Sequence, residues 1–298
     1  MGLIRKFANR AFHLKWSDPG AANSSATHPA ILLKDLDDLL RHDGERTFEV
    51  AGSSITLHLK NHHERRYAAC LKLPIRYPQY DIDKLLIERF IRPGDAVLDA
   101  GANIGLVALR FLEKRASCVI AIEALPELAQ RIRDLRDPRL VCIEAALSNK
   151  MGEIELTVSQ SHNQGSTYDK DVIKRYAPIF GDSPVKVKVS TITIDSLPRN
   201  KFDIWKLDIE GAEIDAVRGG QRSLSEAPPR IIFAELFDGK FEGFQAVVSA
   251  SHPFAYRAGI AKQDYTLTLL PPQHFADRKD SFYPMSPTYV FARSAVIS

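Results

Sequence analysis

Three short apolar runs, separated by two helical patterns, restrict most strongly how this chain can fold. The runs are AVLDA (96–100), CVIAIE (118–123) and RLVCIEAAL (139–147). Residues 103–115 and 126–136, which lie between them, place apolar side chains at helical spacing. Strands that are apolar along their whole length are typical of parallel sheets covered on both faces. The order strand–helix–strand–helix–strand predicts one half of a doubly wound α/β sheet.

The same pattern resumes after an insertion. Residues 152–158 and 185–195 alternate apolar and polar side chains, which predicts an inserted antiparallel β pair. Two further parallel strands are predicted at 202–208 and 230–236, with a helix over 211–224 between them. We therefore expect an α/β protein with a Rossmann-like, mostly parallel, doubly wound sheet, an inserted antiparallel β pair and an N-terminal extension.

The chain is expected to contain an extension, residues 1–80, and one Rossmann-like domain, residues 81–298. In the extension, residues 17–29 have the composition of a linker, residues 31–41 predict a short helix, and residues 47–60 predict a hairpin.

Residues 1–16 combine apolar residues at helical spacing with basic residues. Two interpretations stay open: a weak contact with a membrane surface, or a helix docked on the domain. No run of about 18 apolar residues occurs, and no secretory signal pattern is present, so we expect a cytoplasmic location with peripheral membrane contact as the alternative.

Charge and cysteine content exclude several classes of protein. Lys plus Arg number 40 and Asp plus Glu 37, which leaves a net charge of +3 and gives no reason to expect a nucleic-acid partner. The three cysteines, Cys70, Cys118 and Cys142, form neither a disulfide framework nor a zinc motif. We interpret them as buried thiols in a reducing compartment.

The turn after the first apolar run points to a ligand. Asp99 ends the strand, and Gly101 and Gly105 open the following helix in a D-x-G-x-x-x-G spacing. Asn103 stands where a dinucleotide-binding turn needs its second glycine. An acid at this strand end suits a cationic nucleoside such as S-adenosylmethionine and would repel a pyrophosphate. The alternative is a tight turn in which the Asp only caps the helix.

Two more groups of acids strengthen the ligand interpretation. Glu123 ends the next strand, 24 residues after Asp99, where a carboxylate can accept hydrogen bonds from both ribose hydroxyls. KLDIEGAE (206–213) follows a later strand, at the sheet edge where α/β proteins bind ligands. Charged groups are costly there unless they are paired or used, and an internal ion pair between Lys206 and Asp208 is the alternative interpretation.

Together these motifs resemble the FkbM-family methyltransferases. The resemblance covers about residues 80–236 and is carried by DAGANIG, Glu123, the Ala146–Ser148 step, the Thr193–Leu197 segment and KLDIEGAE. The last of these is much more specific than D-x-G-x-x-x-G, which many methyltransferases share. The resemblance implies an S-adenosylmethionine-dependent O-methyltransferase that acts on a hydroxyl of a small-molecule or glycan acceptor.

The resemblance also implies a role for each matching position. It places at the cofactor Asp99, Gly101, Asn103 and Gly105 (methionine end), Glu123 (ribose), and Glu144 and Ala145 (adenine). It places Asp208 and Glu210 at the transferred methyl group and the acceptor. Our hypothesis is that one of these two carboxylates is the general base and that Lys206 fixes its orientation. Gly165, Ser166 and Thr167 match a step that contacts cofactor or substrate.

Other functions stay open at this point. Asp208, Glu235 and a nearby Glu could bind Mg²⁺, although no spacing demands a metal. A non-catalytic module could retain the fold and bind a glycan or protein through the 159–184 loop. A nicotinamide oxidoreductase is disfavoured by Asn103. We interpret His58, His62 and His63 as exposed polar residues between a strand and a loop, and no His–acid pair supports a hydrolase serine.

Overall fold

A computed structural model describes residues 44–73, 75–159, 165–175, 177–180, 184–199, 201–237 and 239–296. The expected elements within residues 1–41, including the membrane-surface helix, lie outside these ranges. Within the described ranges, no helix has the length and apolarity required to cross a membrane.

The strands, in chain order, are β1 (Glu45–Val50), β2 (Ser53–His58), β3 (Ala96–Ala100), β4 (Cys118–Glu123), β5 (Leu140–Glu144), β6 (Ala146–Leu147), β7 (Gly152–Val158), β8 (Val185–Ile192), β9 (Ile204–Leu207), β10 (Ile231–Glu235), β11 (Phe254–Ile260), β12 (Leu267–Leu270) and β13 (Thr288–Ala292). The helices are α1 (His62–Lys72), α2 (Pro78–Phe90), α3 (Leu106–Glu113), α4 (Pro126–Arg133), α5 (Lys170–Arg175), α6 (Ala177–Phe180), α7 (Glu213–Arg218), α8 (Gln221–Glu226), α9 (Phe241–Val248) and α10 (Pro272–Asp277).

An eight-stranded sheet in the order β12-β11-β13-β10-β9-β3-β4-β5 forms the centre of the protein. Strands β10, β9, β3, β4 and β5 are parallel, and β13 runs antiparallel beside β10. This confirms the predicted Rossmann-like, mostly parallel fold. The strand order reverses between β3 and β9, and ligands of open α/β sheets bind at such a reversal, outside the carboxyl ends of the strands.

Side chains of the central strands alternate between two apolar layers. Val97 of β3 and Ile204 of β9 pack in one layer with side chains of α2 and α3. Leu98 and Trp205, the next residues along the same strands, pack in the other layer with side chains of α7, α8 and α9. Because both faces are covered, the strands read as continuous apolar runs in the sequence.

The inserted antiparallel pair is present as β7 and β8, which form a separate small sheet with β6. The predicted single strand over 139–147 is wrong, because the chain changes sheets at Ala145. Its amide still donates to the Glu123 carbonyl at 3.0 Å, but Ala146 already pairs with Thr191 of β8. Strand β8 ends earlier than predicted, since a 3₁₀ turn over Ile194–Ser196 follows.

A helix that the sequence analysis did not predict follows the confirmed β1–β2 hairpin. Residues 62–63 begin α1 instead of a loop, because the Asn61 side chain accepts hydrogen bonds from the amides of His63 and Glu64. A side-chain cap of this kind satisfies amides that the first helical turn leaves unpaired.

A buried ion pair fastens the hairpin and α1 to the domain. The Arg131 guanidinium of α4 donates to both carboxylate oxygens of Glu64, at 2.8 and 2.7 Å, and to the Thr56 carbonyl at 2.8 Å. Glu64 also accepts from the His58 amide at 2.7 Å and is only 1% exposed. Planar, two-point pairs of this kind are among the stronger polar contacts in proteins. The boundary at residue 80 stays a prediction.

We expect Glu64→Gln to lower the free energy of unfolding by about 3 kcal/mol, because it leaves the Arg131 charge partly buried without a partner. Urea unfolding followed by circular dichroism measures this loss. The matched control is Glu155→Gln, which breaks the exposed Glu155–Lys186 pair and should change stability by less than about 1 kcal/mol. Equal effects of the two variants would contradict the structural importance of the Glu64–Arg131 pair.

Candidate functional site

A cavity of about 440 Å³ opens at the carboxyl ends of the parallel strands. Its floor comes from the turns that follow β3, β4, β9 and β10, and its walls come from α1, α2 and the insertion between β7 and β8. Cavities of this size suit small-molecule ligands. The cavity lies where the strand order reverses, as expected for the ligand site of this fold.

The turn after β3 needs glycine for two different contacts. Gly101 has a φ of 76°, and a Cβ atom there would lie 1.8 Å from the Asp208 carbonyl oxygen. Its absence lets the ends of β3 and β9 approach each other. A Cβ atom on Gly105 would lie 2.8 Å from the Leu135 side chain, so Gly105 makes room for the segment after α4 and does not line the cavity.

Glu123 is held in place at the end of β4. One carboxylate oxygen accepts from the Asn103 amide at 2.8 Å and the other from the Leu125 amide at 2.9 Å. Burial raises the pKa of Glu123 to about 7, although these amides favour the charged form. Each carboxylate oxygen has a second lone pair, so both can still accept a hydrogen bond from a ligand in the cavity.

Lys206 lies at the centre of the acidic side chains. Its ammonium donates to Asp208 at 3.2 Å and lies 3.8 Å from Asp99. Burial lowers the pKa of Lys206, but Asp208, Asp99 and Asp83 outweigh burial and raise it, so the lysine stays charged. Lys206 and Asp208 line the cavity, whereas Asp99 is fully buried and outside its wall.

The DIEGAE turn after β9 contains two acids in different settings. Glu210 has a φ of 53° and lines the cavity, and burial, Asp208 and Glu213 raise its pKa to about 8. Glu213 is 1% exposed, and one of its oxygens accepts from the amides of Ile209 and Gly211 at 3.0 and 3.2 Å. Glu213 therefore shapes the turn, and Glu210 faces the space where a ligand can bind.

The insertion closes one side of the cavity through three polar contacts. The Thr167 hydroxyl donates to the Glu210 carbonyl at 2.6 Å, and the Tyr168 hydroxyl donates to Asp215 at 2.8 Å. Asp169 forms an ion pair with Lys240 of the segment before α9. Residues 165–167, which the sequence analysis connected with cofactor or substrate, line the cavity next to Glu210.

The structure brings most of the predicted site residues to one cavity. Those that line it are Gly101, Asn103, Glu123, Ala145, Lys206, Asp208 and Glu210. Asp99, Gly105 and Glu144 do not line it. Glu144 is exposed and accepts from the Arg133 guanidinium at 2.9 Å, so Ala145 is the residue of this pair that a ligand in the cavity can contact.

Several wall residues did not emerge from the sequence analysis as ligand contacts. These are Tyr67 of α1, Tyr77 immediately before α2, and Asp83 of α2. His63 of α1 also lines the cavity instead of being merely exposed. A usable signal existed for Asp83, because it shares a helical face with the buried residues Leu86 and Ile87. A carboxylate on the apolar face of a helix is a candidate for a buried polar site.

The described residues contain no group of three or more His, Cys, Asp or Glu side chains arranged to hold a metal ion. Glu235, which the magnesium alternative invoked, lines the cavity, and burial, Asp208 and Glu210 raise its pKa well above the ordinary value. This setting disfavours the charged carboxylate that a metal ligand requires.

Fold and site together define a Rossmann-like α/β protein with an acidic ligand cavity at its topological switch point. The profile of the methyltransferase FkbM domain matches residues 99–267. This match covers more than half of the chain, and the chain belongs to the FkbM methyltransferase family.

One curated protein and two solved structures show the similarity of individual proteins to this chain. The 2-O-methyltransferase NoeI of Sinorhizobium fredii (strain NBRC 101917 / NGR234) is 26% identical over 176 residues, which are 54% of this chain and 72% of NoeI. Among solved structures, methyltransferase FkbM from Methylobacillus flagellatus KT is 15% identical, with a TM-score of 0.45 over 70% of this chain. The chain spans 47% of that protein's length. A TehB-like SAM-dependent methyltransferase from Corynebacterium glutamicum ATCC 13032 Kitasato is 13% identical, with a TM-score of 0.39 over 78% of this chain and 96% of its own.

Burial raises the pKa of Glu213 from 4.5 to about 7. We therefore expect the free energy of unfolding to fall as the pH rises between these two values. In this window the folded protein keeps a proton that the unfolded chain releases, so unfolding becomes more favourable. In the wild type this titration should lower the free energy of unfolding by about 1.4 kcal/mol for each unit of the pKa shift. Glu213→Gln removes the titrating group, so the variant should lose less stability over the same pH range.

Urea unfolding at pH 5 and pH 8 checks this expectation on the wild type, Glu213→Gln and Glu226→Gln, an exposed control at the end of α8. An unchanged pH dependence in Glu213→Gln would show that the Glu213 carboxyl does not titrate in this range.

Proposed function

We propose that this protein is an S-adenosylmethionine-dependent methyltransferase that methylates a hydroxyl oxygen on a sugar, glycolipid or natural-product acceptor. The observation that carries the proposal is the charge of the cavity wall. The permanent cations in this wall are Lys206 and Arg66. Five carboxyl side chains line the same wall: Asp83, Glu123, Asp208, Glu210 and Glu235. A wall of this composition favours a cationic ligand without phosphate and disfavours a dinucleotide.

The residues present fit this cofactor. Glu123 offers two oriented oxygens to the ribose hydroxyls, Ala145 offers a small apolar surface to the adenine, and the Gly101–Asn103 turn borders the methionine end. Asp99 acts through Lys206, because it lies beneath the cavity wall. When bound, S-adenosylmethionine supplies a methyl group that its sulfonium has already activated.

The acceptor hydroxyl must lose its proton as it is methylated, and this chain offers carboxylates for that step. We retain Asp208 and Glu210 as the candidate bases, with Lys206 fixing Asp208 through the 3.2 Å hydrogen bond. The raised pKa of Glu210, about 8, suits a group that exchanges protons near neutral pH. The similarity to a protein named 2-O-methyltransferase supports oxygen as the methylated atom.

A cofactor titration tests the first part of the proposal. We expect S-adenosylhomocysteine to bind the wild type at pH 8, as measured by isothermal titration calorimetry. Glu123→Gln should weaken this binding about ten- to a hundredfold, because the ribose hydroxyls lose a charged acceptor. Glu127→Gln, an exposed acid in the first turn of α4, is the matched control and should leave the affinity unchanged.

Absence of binding in the wild type would instead favour the alternative, a non-catalytic module that retains the fold. Nicotinamide dinucleotide should produce neither heat nor a shift in melting temperature.

Transfer of a labelled methyl group to a panel of sugars, glycolipids and phenols tests the second part. With any acceptor that accumulates label, we expect Asp208→Asn or Glu210→Gln to reduce turnover about a hundredfold or more through loss of the base. Each variant should still bind S-adenosylhomocysteine. If both variants bind the cofactor product normally and turn over at the wild-type rate, neither carboxylate is the base.

A further inference from the structure

One acidic side chain of the cavity wall lies outside the range that matches the family. Asp83 belongs to α2, whereas the family match begins at residue 99. It lines the cavity with Lys206, Asp208 and Glu235, and it also borders the small adjoining cavity beside Tyr67 and Lys84. Because α2 packs its buried residues Ile82, Leu86 and Ile87 into the core, the position of Asp83 is fixed by the fold.

The Asp83 carboxylate differs from its acidic neighbours in its hydrogen bonding. Asp208 accepts from Lys206, and Glu123 accepts from two backbone amides. Across the described part of the chain, no hydrogen bond and no ion pair within 4 Å engages the Asp83 carboxylate, although Lys206, Asp208 and Asp99 all influence it electrostatically. Its charge is therefore available to a ligand in the cavity.

The ionisation of the wall singles out the same residue. Burial raises the pKa of Asp83 to about 6, and Lys206 limits this rise, so the carboxyl group is charged at pH 8. Burial raises the pKa of Glu210 further, to about 8, and that of Glu235 well above the ordinary value. With Asp208 paired to Lys206, Asp83 supplies a negative charge that no protein cation closely neutralises.

The proposed cofactor carries a matching charge close to its ribose. Its sulfonium is one carbon removed from the sugar, which Glu123 is placed to hold at the end of β4. The adjacent strand ends, those of β3 and β9, border Lys206, Asp208 and Asp83. A charge near this part of the cavity distinguishes S-adenosylmethionine from S-adenosylhomocysteine, which lacks the sulfonium but shares every other group.

We propose that Asp83 is a cofactor-recognition residue whose free carboxylate favours the sulfonium of S-adenosylmethionine over the uncharged sulfur of S-adenosylhomocysteine. This inference rests on the proposed function. It assigns to a segment outside the matched range the discrimination between the charged cofactor and its product. Such discrimination favours exchange of spent product for fresh cofactor.

The test compares the affinities of both ligands by isothermal titration calorimetry at pH 8, using the full chain. In the wild type we expect S-adenosylmethionine to bind more tightly than S-adenosylhomocysteine. Asp83→Asn should reduce the ratio of the two affinities about three- to tenfold, as expected for the loss of one charge near the ligand. The affinity for S-adenosylhomocysteine should stay within about twofold of the wild type, a change worth less than about 0.5 kcal/mol.

Two further variants separate charge from structure. Asp83→Glu keeps the carboxylate and should retain most of the preference for S-adenosylmethionine. Glu88→Gln changes an exposed acid on the same helix and should alter neither affinity. Equal weakening of both ligands by Asp83→Asn, or an unchanged ratio, would overturn the assignment of Asp83. Failure of both ligands to bind the wild type would instead refute the proposed function itself.

Discussion

The buried contact of Lys206 with Asp99 and Asp208 joins the two strands on which the site is built. Asp99 and Lys206 are direct partners across the β3–β9 pair, and Asp208 follows in the turn after β9. Lys206 and Asp99 are both buried, and an unpaired charge at this depth would be strongly unfavourable, so each requires the other. Asp208, whose side chain is 31% exposed, is the second acidic partner of Lys206. Gly101 completes the arrangement, because any side chain there would collide with the Asp208 backbone. The point where the strand order reverses is thus held by one cation between two acids.

The same burial that makes this contact necessary also controls how much charge the cavity carries. Glu123, Glu210, Glu213 and Asp83 all have pKa values above those of free carboxyl groups, with burial as the largest cause. If every acid were ionised, the carboxylates would repel one another, and partial protonation relieves that repulsion. A cationic ligand reverses the balance, since it favours the ionised carboxylates. The acidity of the cavity and the charge of its ligand are therefore coupled.

Features of the fold that depend on short stretches of sequence could be predicted, and features that depend on distant contacts could not. The apolar runs of β3, β4, β9 and β10 identify buried parallel strands, and the acid at the end of β4 identifies a residue that lines the cavity. By contrast, the change of sheet at Ala145 follows from pairing with β8, which lies more than 40 residues away. Glu144 and Ala145 are adjacent in sequence, yet only Ala145 reaches the cavity, because the chain leaves the central sheet after Glu144, the last residue of β5.

Helices α1 and α2 line the cavity from outside the range that matches the family. Family membership therefore specifies the floor of the cavity better than the wall that these helices form. The matched range, residues 99–267, contains the turns that hold Glu123, Lys206 and Asp208. Tyr67, Asp83 and Thr288 complete the wall from segments before and after that range. The Ser286 amide donates to Gln79 and so joins these two outer segments, and the Tyr265 hydroxyl at the end of the matched range donates to Asp81 of α2. A relative that shares only the matched range shares the floor of the cavity, and its acceptor is not transferable to this chain on that basis. The matched range thus supplies the floor of the cavity and the wall formed by the insertion, and α1, α2 and Thr288 contribute to the rest of the wall.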